Sequence, residues 1–201
     1  MSNVSKKLKK SIKSVQRLWG KKTRIGNFVL EVDPENSQPY ILKKHPEHGT
    51  NLIRLARALE EKYSRLLILD IGANFGDTAA MLLSSNPNYT IVCIEGDRPT
   101  FKLLSENFKH HNKVRLHKHF LGEFNGSKVA SPSKLGGSLE LNDKESAHHE
   151  TVNIINLDSF MAKNPTYTET KLLKIDTDGY DNQIIRGVKE YLIGTKPAQN
   201  R

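Results

Sequence analysis

Short apolar runs alternate with amphipathic segments along most of this chain. Leu66-Leu67-Ile68-Leu69-Asp70-Ile71 is a continuous run of the kind found in strands buried on both faces. A glycine-bearing turn at 72–76 and a helix at 78–85 follow it. The same order repeats, with a strand at 90–95 and then a helix opened by Pro99 whose inner face is Phe101, Leu104 and Phe108. A third strand at 114–121 is less apolar, which predicts a place nearer an edge. Residues 122–150 are polar and rich in Gly, Ser and Lys, an excursion with one hairpin near 138–141. A strand at 152–157 leads into a brief helix at 158–163. A fourth buried strand at 172–175 precedes a helix at 182–192 that Gly194 ends. Upstream, residues 25–48 read as irregular apart from a short strand at 27–32 and loop signals in Asp33-Pro34-Glu35-Asn36. Thr50 or Asn51 then caps a helix carrying Leu52, Ile53, Leu55, Ala56 and Leu59. Strands alternating with helices predict parallel βαβ units, so the fold class is α/β, doubly wound around a mostly parallel sheet.

Charge divides the chain in two. Lys and Arg exceed Asp and Glu by 31 to 22, yet residues 1–24 hold nine bases and no acid, which leaves 22 of each sign in 25–201. The basic pI describes a segment and not the domain, and a nucleic-acid-binding fold would spread its charge over the domain surface. No nucleic-acid partner is expected. Within the basic segment Val4, Leu8, Ile12, Val15, Leu18 and Trp19 recur at spacings of three and four, one apolar stripe on a lysine-rich helix. Such a helix packs its stripe on the domain, or lies on an anionic membrane or acidic partner through residues 4–24, or serves organelle targeting. At 201 residues one domain is expected, spanning 25–201.

Cys93 is the single cysteine, so no intrachain disulfide forms, in keeping with a reducing compartment. No apolar run has the length of a membrane span or of a signal peptide. The expected location is cytoplasmic, with contact at the inner membrane surface if the basic stripe binds lipid.

Ligands of open parallel sheets sit beyond the carboxyl ends of the strands, and three such ends carry candidate chemistry. In Asp70-Ile71-Gly72-Ala73-Asn74-Phe75-Gly76-Asp77 a strand runs through a tight turn into a helix, and the glycines let backbone approach a ligand. The Gly-x-x-x-Gly spacing lacks the third glycine of pyrophosphate loops, so it suits a nucleoside ligand such as S-adenosylmethionine. The second end is Glu95, placed to accept hydrogen bonds from ribose hydroxyls. The third, Lys174-Ile175-Asp176-Thr177-Asp178-Gly179-Tyr180-Asp181, gathers carboxylates that need a cation or hydroxyl donors. A structural turn at Gly72 and Gly76, a solvated strand end at Glu95 and helix capping by Asp178 or Asp181 are the bland alternatives.

Four ordered motifs now resemble a family. Asp70-Ile71-Gly72-Ala73-Asn74-x-Gly76-Asp77-Thr78, then Glu95, then Asn156-Leu157-Asp158-Ser159, then Leu173-Lys174-Ile175-Asp176-Thr177-Asp178-Gly179-Tyr180-Asp181 with Arg186-Gly187 are similar to FkbM-type methyltransferases over about residues 40–195. The variant here has Asp-Thr-Asp-Gly where the commoner one has Asp-Val-Glu-Gly. The resemblance implies a class I methyltransferase fold and transfer of methyl from S-adenosylmethionine to an acceptor oxygen, typically a sugar hydroxyl of a glycan, glycolipid or natural product. It implies that Asp70, Gly72, Ala73, Asn74, Gly76, Asp77, Glu95, Gly96, Gly122 and Asp176 surround the cofactor. Asp176 and Asp178 are the catalytic candidates, with Tyr180 or a loop histidine behind them. A catalytically incomplete nucleoside-binding remnant and a nucleic-acid methyltransferase are the alternatives.

Family members continue from the Asp-Thr-Asp-Gly turn into further strands, whereas Lys196-Pro197 stands here where the next would begin. A sheet of order 3-2-1-4 would leave 172–175 as an exposed edge, and the expectation is a truncated chain or a partner over that edge. Asn86-Pro87-Asn88-Tyr89 reads as a turn and Cys93 as core. His117 and His119 share a strand face, without a third obvious metal ligand. His110-His111 and His148-His149 read as exposed loop residues.

Overall fold

A computed structural model describes residues 22–132, 139–142, 150–177 and 179–188. The stripe at 4–19, His148-His149, Asp178 and Lys196-Pro197 lie outside these.

The chain enters through an antiparallel hairpin, β1 (Lys22–Ile25) and β2 (Phe28–Glu31), turned by Gly26 at φ 53. β1 takes in Lys22 and Arg24, two of the bases counted in residues 1–24. Then come α1 (Gln38–Lys44), α2 (Thr50–Lys62), β3 (Leu67–Ile71), α3 (Asp77–Ser85), β4 (Thr90–Ile94), α4 (Arg98–Phe108), β5 (Val114–His117) and β6 (Phe120–Gly122). β7 (Gly126–Pro132), β8 (Leu139–Asn142), β9 (Glu150–Asn156), α5 (Leu157–Lys163), a 3₁₀ turn at Pro165–Glu169, β10 (Leu172–Ile175) and α6 (Asp181–Arg186) complete the described part.

The central sheet is parallel throughout, in the order β10-β3-β4-β5. β3 and β4 are buried on both faces, as their continuous apolar runs predict, because alternate side chains enter opposite cores, whereas β10, read as a buried strand, is half-buried beyond Leu172, and β5 is likewise less covered. Ile68, Ile91 and Cys93 join Ala79, Leu82, Leu104 and Phe108 of α3 and α4 and Leu30 of the hairpin. Leu69, Ile71, Val92 and Ile94 instead meet Leu157, Phe160, Met161, Tyr180 and Ile184. β10 lies at the edge of this sheet, with β3 as its only strand neighbour among the described residues.

Four readings shift. Residues 114–121 are two strands: after His117 the exposed pair Lys118-His119 carries the chain out of the central sheet, and β6 pairs instead with β9. There β6, β9, β7 and β8 form a second sheet, whose β7–β8 pairing is the hairpin read near 138–141. The irregular stretch holds α1, with Pro39 in its first turn and Lys43 and Lys44 in its last. Neither Thr50 nor Asn51 caps α2; Gly49 does, at φ 80, and the Thr50 hydroxyl turns back to donate to the Glu47 carbonyl at 2.7 Å. No helix among the described residues is long and apolar enough to cross a membrane.

Candidate functional site

A cavity of about 310 Å³ opens beyond the carboxyl ends of β10, β3 and β4, within the range of small-molecule sites. Its floor runs from Lys174, Asp176 and Thr177 after β10, across Gly72 and Asn74 after β3, to Glu95 after β4. His119, Phe120 and Leu121 close the far end, and Asn36, Ser37, Gln38, Ile41 and His48 of the upstream segment form the opposite wall.

Glu95 is fixed by backbone. Its Oε2 accepts from the Asn74 N–H at 3.0 Å and its Oε1 from the Asp97 N–H at 2.9 Å. Asn74 reaches this position at φ 51, a left-handed conformation that Asn tolerates better than most residues. The Gly96 backbone adds a weaker favourable contact, and a carboxylate with about four acceptor sites keeps part of its capacity for a ligand. Burial pushes the Glu95 carboxyl up to about 7, against the backbone donors of Asp97 and Asn74 that favour its ionised form.

The glycines serve the frame. A Cβ on Gly72, at φ 75, would stand 2.0 Å from the Asp176 carbonyl oxygen, and one on Gly76, at φ 95, 2.2 Å from the Phe108 ring. Backbone does approach closely at Gly72, but what it approaches is the strand end of β10. Gly76 precedes α3 and packs on α4. Gly96 makes room for the Phe120 ring, and Gly122 sits against Ile154 and Tyr180; neither lines the cavity. Ala73 is fully buried in the core behind the loop. Of the ten residues expected around a cofactor, Gly72, Asn74, Asp77, Glu95 and Asp176 line the cavity.

Asp70 lies beneath the floor. It is paired in register with Lys174 on one side and Cys93 on the other. Asp70 has no exposed surface, and its Oδ1 stands 2.9 Å from Lys174 Nζ, a charge-assisted pair that is the carboxylate's one side-chain partner among the described residues. Burial raises the Asp70 carboxyl against the Lys174 ammonium. Burial pulls Lys174 down, but Asp70, Asp176 and Asp77 together outweigh it and hold the ammonium above its ordinary value. Lys174 also donates to the Gly72 carbonyl at 3.1 Å and stands 3.7 Å from Asp176. It is the cation that the acidic turn requires. Asp77, first residue of α3, accepts from Gln38 Nε2 at 3.1 Å, and burial raises its carboxyl to about 6.

Of the catalytic candidates, Asp176 is exposed at the cavity, its side chain 73% accessible. Asp181 is engaged locally, accepting from the Thr177 N–H at 2.8 Å and the Thr177 hydroxyl at 2.6 Å. Tyr180 and His119 both line the cavity, and burial holds the His119 imidazole below its ordinary value. His117 takes a different course: its Nε2 is 2.9 Å from the Tyr167 hydroxyl, and its ring packs edge-on to Phe160 at 5.1 Å. His111 is not a plain loop residue, since it packs on Phe28 at 5.6 Å. Asn86 closes α3 and accepts from the Asn88 N–H, so that motif is a turn, and Cys93 is buried with its thiol pushed well up.

Two parts of the site escaped the sequence reading. Lys174 interrupts an apolar strand, and a buried cation there calls for an acid on the neighbouring strand, which Asp70 supplies. The wall from 36 to 48 carried a weaker signal in Pro39 and the two lysines.

The residues fit a nucleoside. An acid oriented by two backbone donors faces the cavity, Ile94 and Leu121 give apolar surface beside it, and groups of both charges stand at the β10 end. Comparison with known proteins agrees in kind. Residues 70–198 match the family model of the methyltransferase FkbM domain. A curated protein from Beauveria bassiana (strain ARSEF 2860), Methyltransferase 1, is 26% identical over 145 residues, covering 61% of this chain and 58% of that protein. The matched chain thus spans less than two thirds of that relative. Among solved structures, a putative caffeoyl-CoA O-methyltransferase from Staphylococcus aureus is similar at TM-score 0.31 and 19% identity, over 43% of this chain and 46% of that one. An uncharacterized protein from Burkholderia thailandensis is similar at TM-score 0.33 and 11% identity, over 80% of this chain and 51% of that one.

Proposed function

This chain belongs to the FkbM methyltransferase domain family, and from that premise we propose that it binds S-adenosylmethionine in the cavity described above and transfers its methyl group to a hydroxyl of a carbohydrate-containing acceptor. The observation that carries the reading is Glu95, a cavity-lining carboxylate oriented by the Asn74 and Asp97 backbone N–H groups and placed to accept from ribose hydroxyls. When bound, the cofactor supplies a methyl group already activated on a sulfonium, so the protein's main task is alignment.

The residues divide that task. Glu95 fixes the ribose, and Gly72 and Asn74 shape the loop beneath it. Lys174 is neutralised by Asp70, which leaves the exposed Asp176 carboxylate to orient an incoming hydroxyl or take its proton. His119, whose imidazole burial holds below its ordinary value, is the second proton acceptor on the cavity wall. The sugar acceptor is the reading the family resemblance favours, and the charge balance of residues 25–201 disfavours nucleic acid.

Transfer of a labelled methyl group from S-adenosylmethionine to glycan, glycolipid and nucleic-acid fractions tests the reading. Label in a carbohydrate fraction that falls at least about tenfold with Asp176→Asn is expected. Label confined to nucleic acid, or none anywhere, would overturn it.

A further inference from the structure

The wall of the cavity formed by residues 36–48 lies outside the matched family region, which begins at residue 70. It is nonetheless tied to the glycine loop at two points. Asn36 Nδ2 donates to Asn74 Oδ1 at 3.1 Å, and Gln38 Nε2 donates to Asp77 Oδ2 at 3.1 Å. The segment is held from behind as well. Asn107 on α4 accepts from the Glu31 N–H at 2.7 Å and donates to the Glu31 and Phe75 carbonyls, both at 2.9 Å, so one side chain joins the hairpin to the loop. Ser84 on α3 accepts from the Asn27 N–H at 2.9 Å.

The cavity is not lined evenly. The end at Phe120, Leu121 and Ile94 is aromatic and aliphatic and suits a base. The opposite end brings Gln38, latched to Asp77, together with Asp176 and Lys174, a set that offers acceptors to an ammonium and donors to a carboxylate. With the ribose at Glu95 between them, a charged amino-acid substituent has one chemically matched end to occupy.

We propose that the wall of residues 36–48 is a working part of the cofactor site and that Gln38, held by Asp77, selects for the α-amino-acid end of the cofactor. This rests on the proposed binding of S-adenosylmethionine. A Gln38 amide fixed by one N–H keeps a second N–H and its carbonyl for a zwitterion. Its contribution is a positioned polar contact to a charged group, which a nucleoside lacking that group cannot use.

Calorimetric titration of the full chain with S-adenosylhomocysteine and with 5′-methylthioadenosine, which lacks the amino-acid part, tests this. Gln38→Leu keeps the side-chain bulk and removes the amide. The variant is expected to lose about tenfold or more in affinity for S-adenosylhomocysteine while holding methylthioadenosine within about twofold. Retained methylthioadenosine binding also reports an intact fold. Equal loss of both ligands, or loss of neither, overturns the inference. If neither ligand binds the unaltered chain, the proposed function itself fails.

Discussion

Replacing Lys174 by Met removes the one cation that the described residues place within reach of a carboxylate that has no exposed surface. Asp70 Oδ1 stands 2.9 Å from the ammonium, and among the described residues no other side chain is placed to inherit the charge. Breaking a buried pair on one side costs about 3–5 kcal/mol, since the remaining charge is left uncompensated. In a chain of 201 residues each kcal/mol moves Tm by roughly 2–4 °C, so Lys174→Met should melt about 6–20 °C below the parent at pH 8. Asp70→Asn combined with Lys174→Met should recover a large part of that loss, because the pair is then absent and no lone charge is buried. The pH dependence has a defined sign. Without the ammonium, the Asp70 carboxyl rises further above its unfolded value, so the variant is most stable in acid and loses stability as pH rises through the folded pKa. The deficit should therefore narrow between pH 8 and pH 5. Calorimetric melting of the three chains decides the matter. A single variant within about 2 °C of the parent, or a double variant worse than the single, would refute the reasoning.

Three further outcomes are expected. Gly72→Ala should cost about 3 kcal/mol or more, or prevent folding, because its Cβ meets the Asp176 carbonyl at 2.0 Å and the residue holds φ 75; urea titration measures this. Asn107→Ala removes three hydrogen bonds to the hairpin and glycine loop and should cost about 2–4 kcal/mol, with faster amide exchange at residues 28–31 than in the central strands. Affinity for S-adenosylhomocysteine should be flat above the Glu95 value of about 7 and fall by up to about tenfold per pH unit below it, because ribose hydroxyls donate to the ionised form. A pH-independent affinity between 5 and 8 would remove Glu95 from the site.

The parts legible in the sequence are those whose signal is local. The runs at 66–71 and 90–94 read as doubly buried strands because their apolar residues leave neither face for water, and the expected order 3-2-1-4 is the observed β5-β4-β3-β10, with β10 half-buried at the edge. The placement of Glu95 and the glycine loop at the strand ends beside the cavity is legible because it depends on position in one βαβ unit. What sequence left hidden depends on contacts between distant segments. The Gln38–Asp77 and Asn36–Asn74 hydrogen bonds link residues 39 and 38 positions apart. The break after His117 follows from β6 pairing with β9, which periodicity within 114–121 does not encode. The glycines were placed correctly but for a different reason: the loop needs them chiefly to fit against Asp176 and Phe108.

The most direct test of the account is titration of the chain with S-adenosylhomocysteine at pH 8, beside a Glu95→Ala variant whose melting temperature stays near the parent's. The parent should bind saturably at one site, and the variant should bind at least about a hundredfold more weakly, since the carboxylate proposed to accept from the ribose hydroxyls is removed and the backbone donors that held it lose their acceptor. Equal affinity in both chains, or no binding by the parent, would contradict a nucleoside site at the ends of β3 and β4.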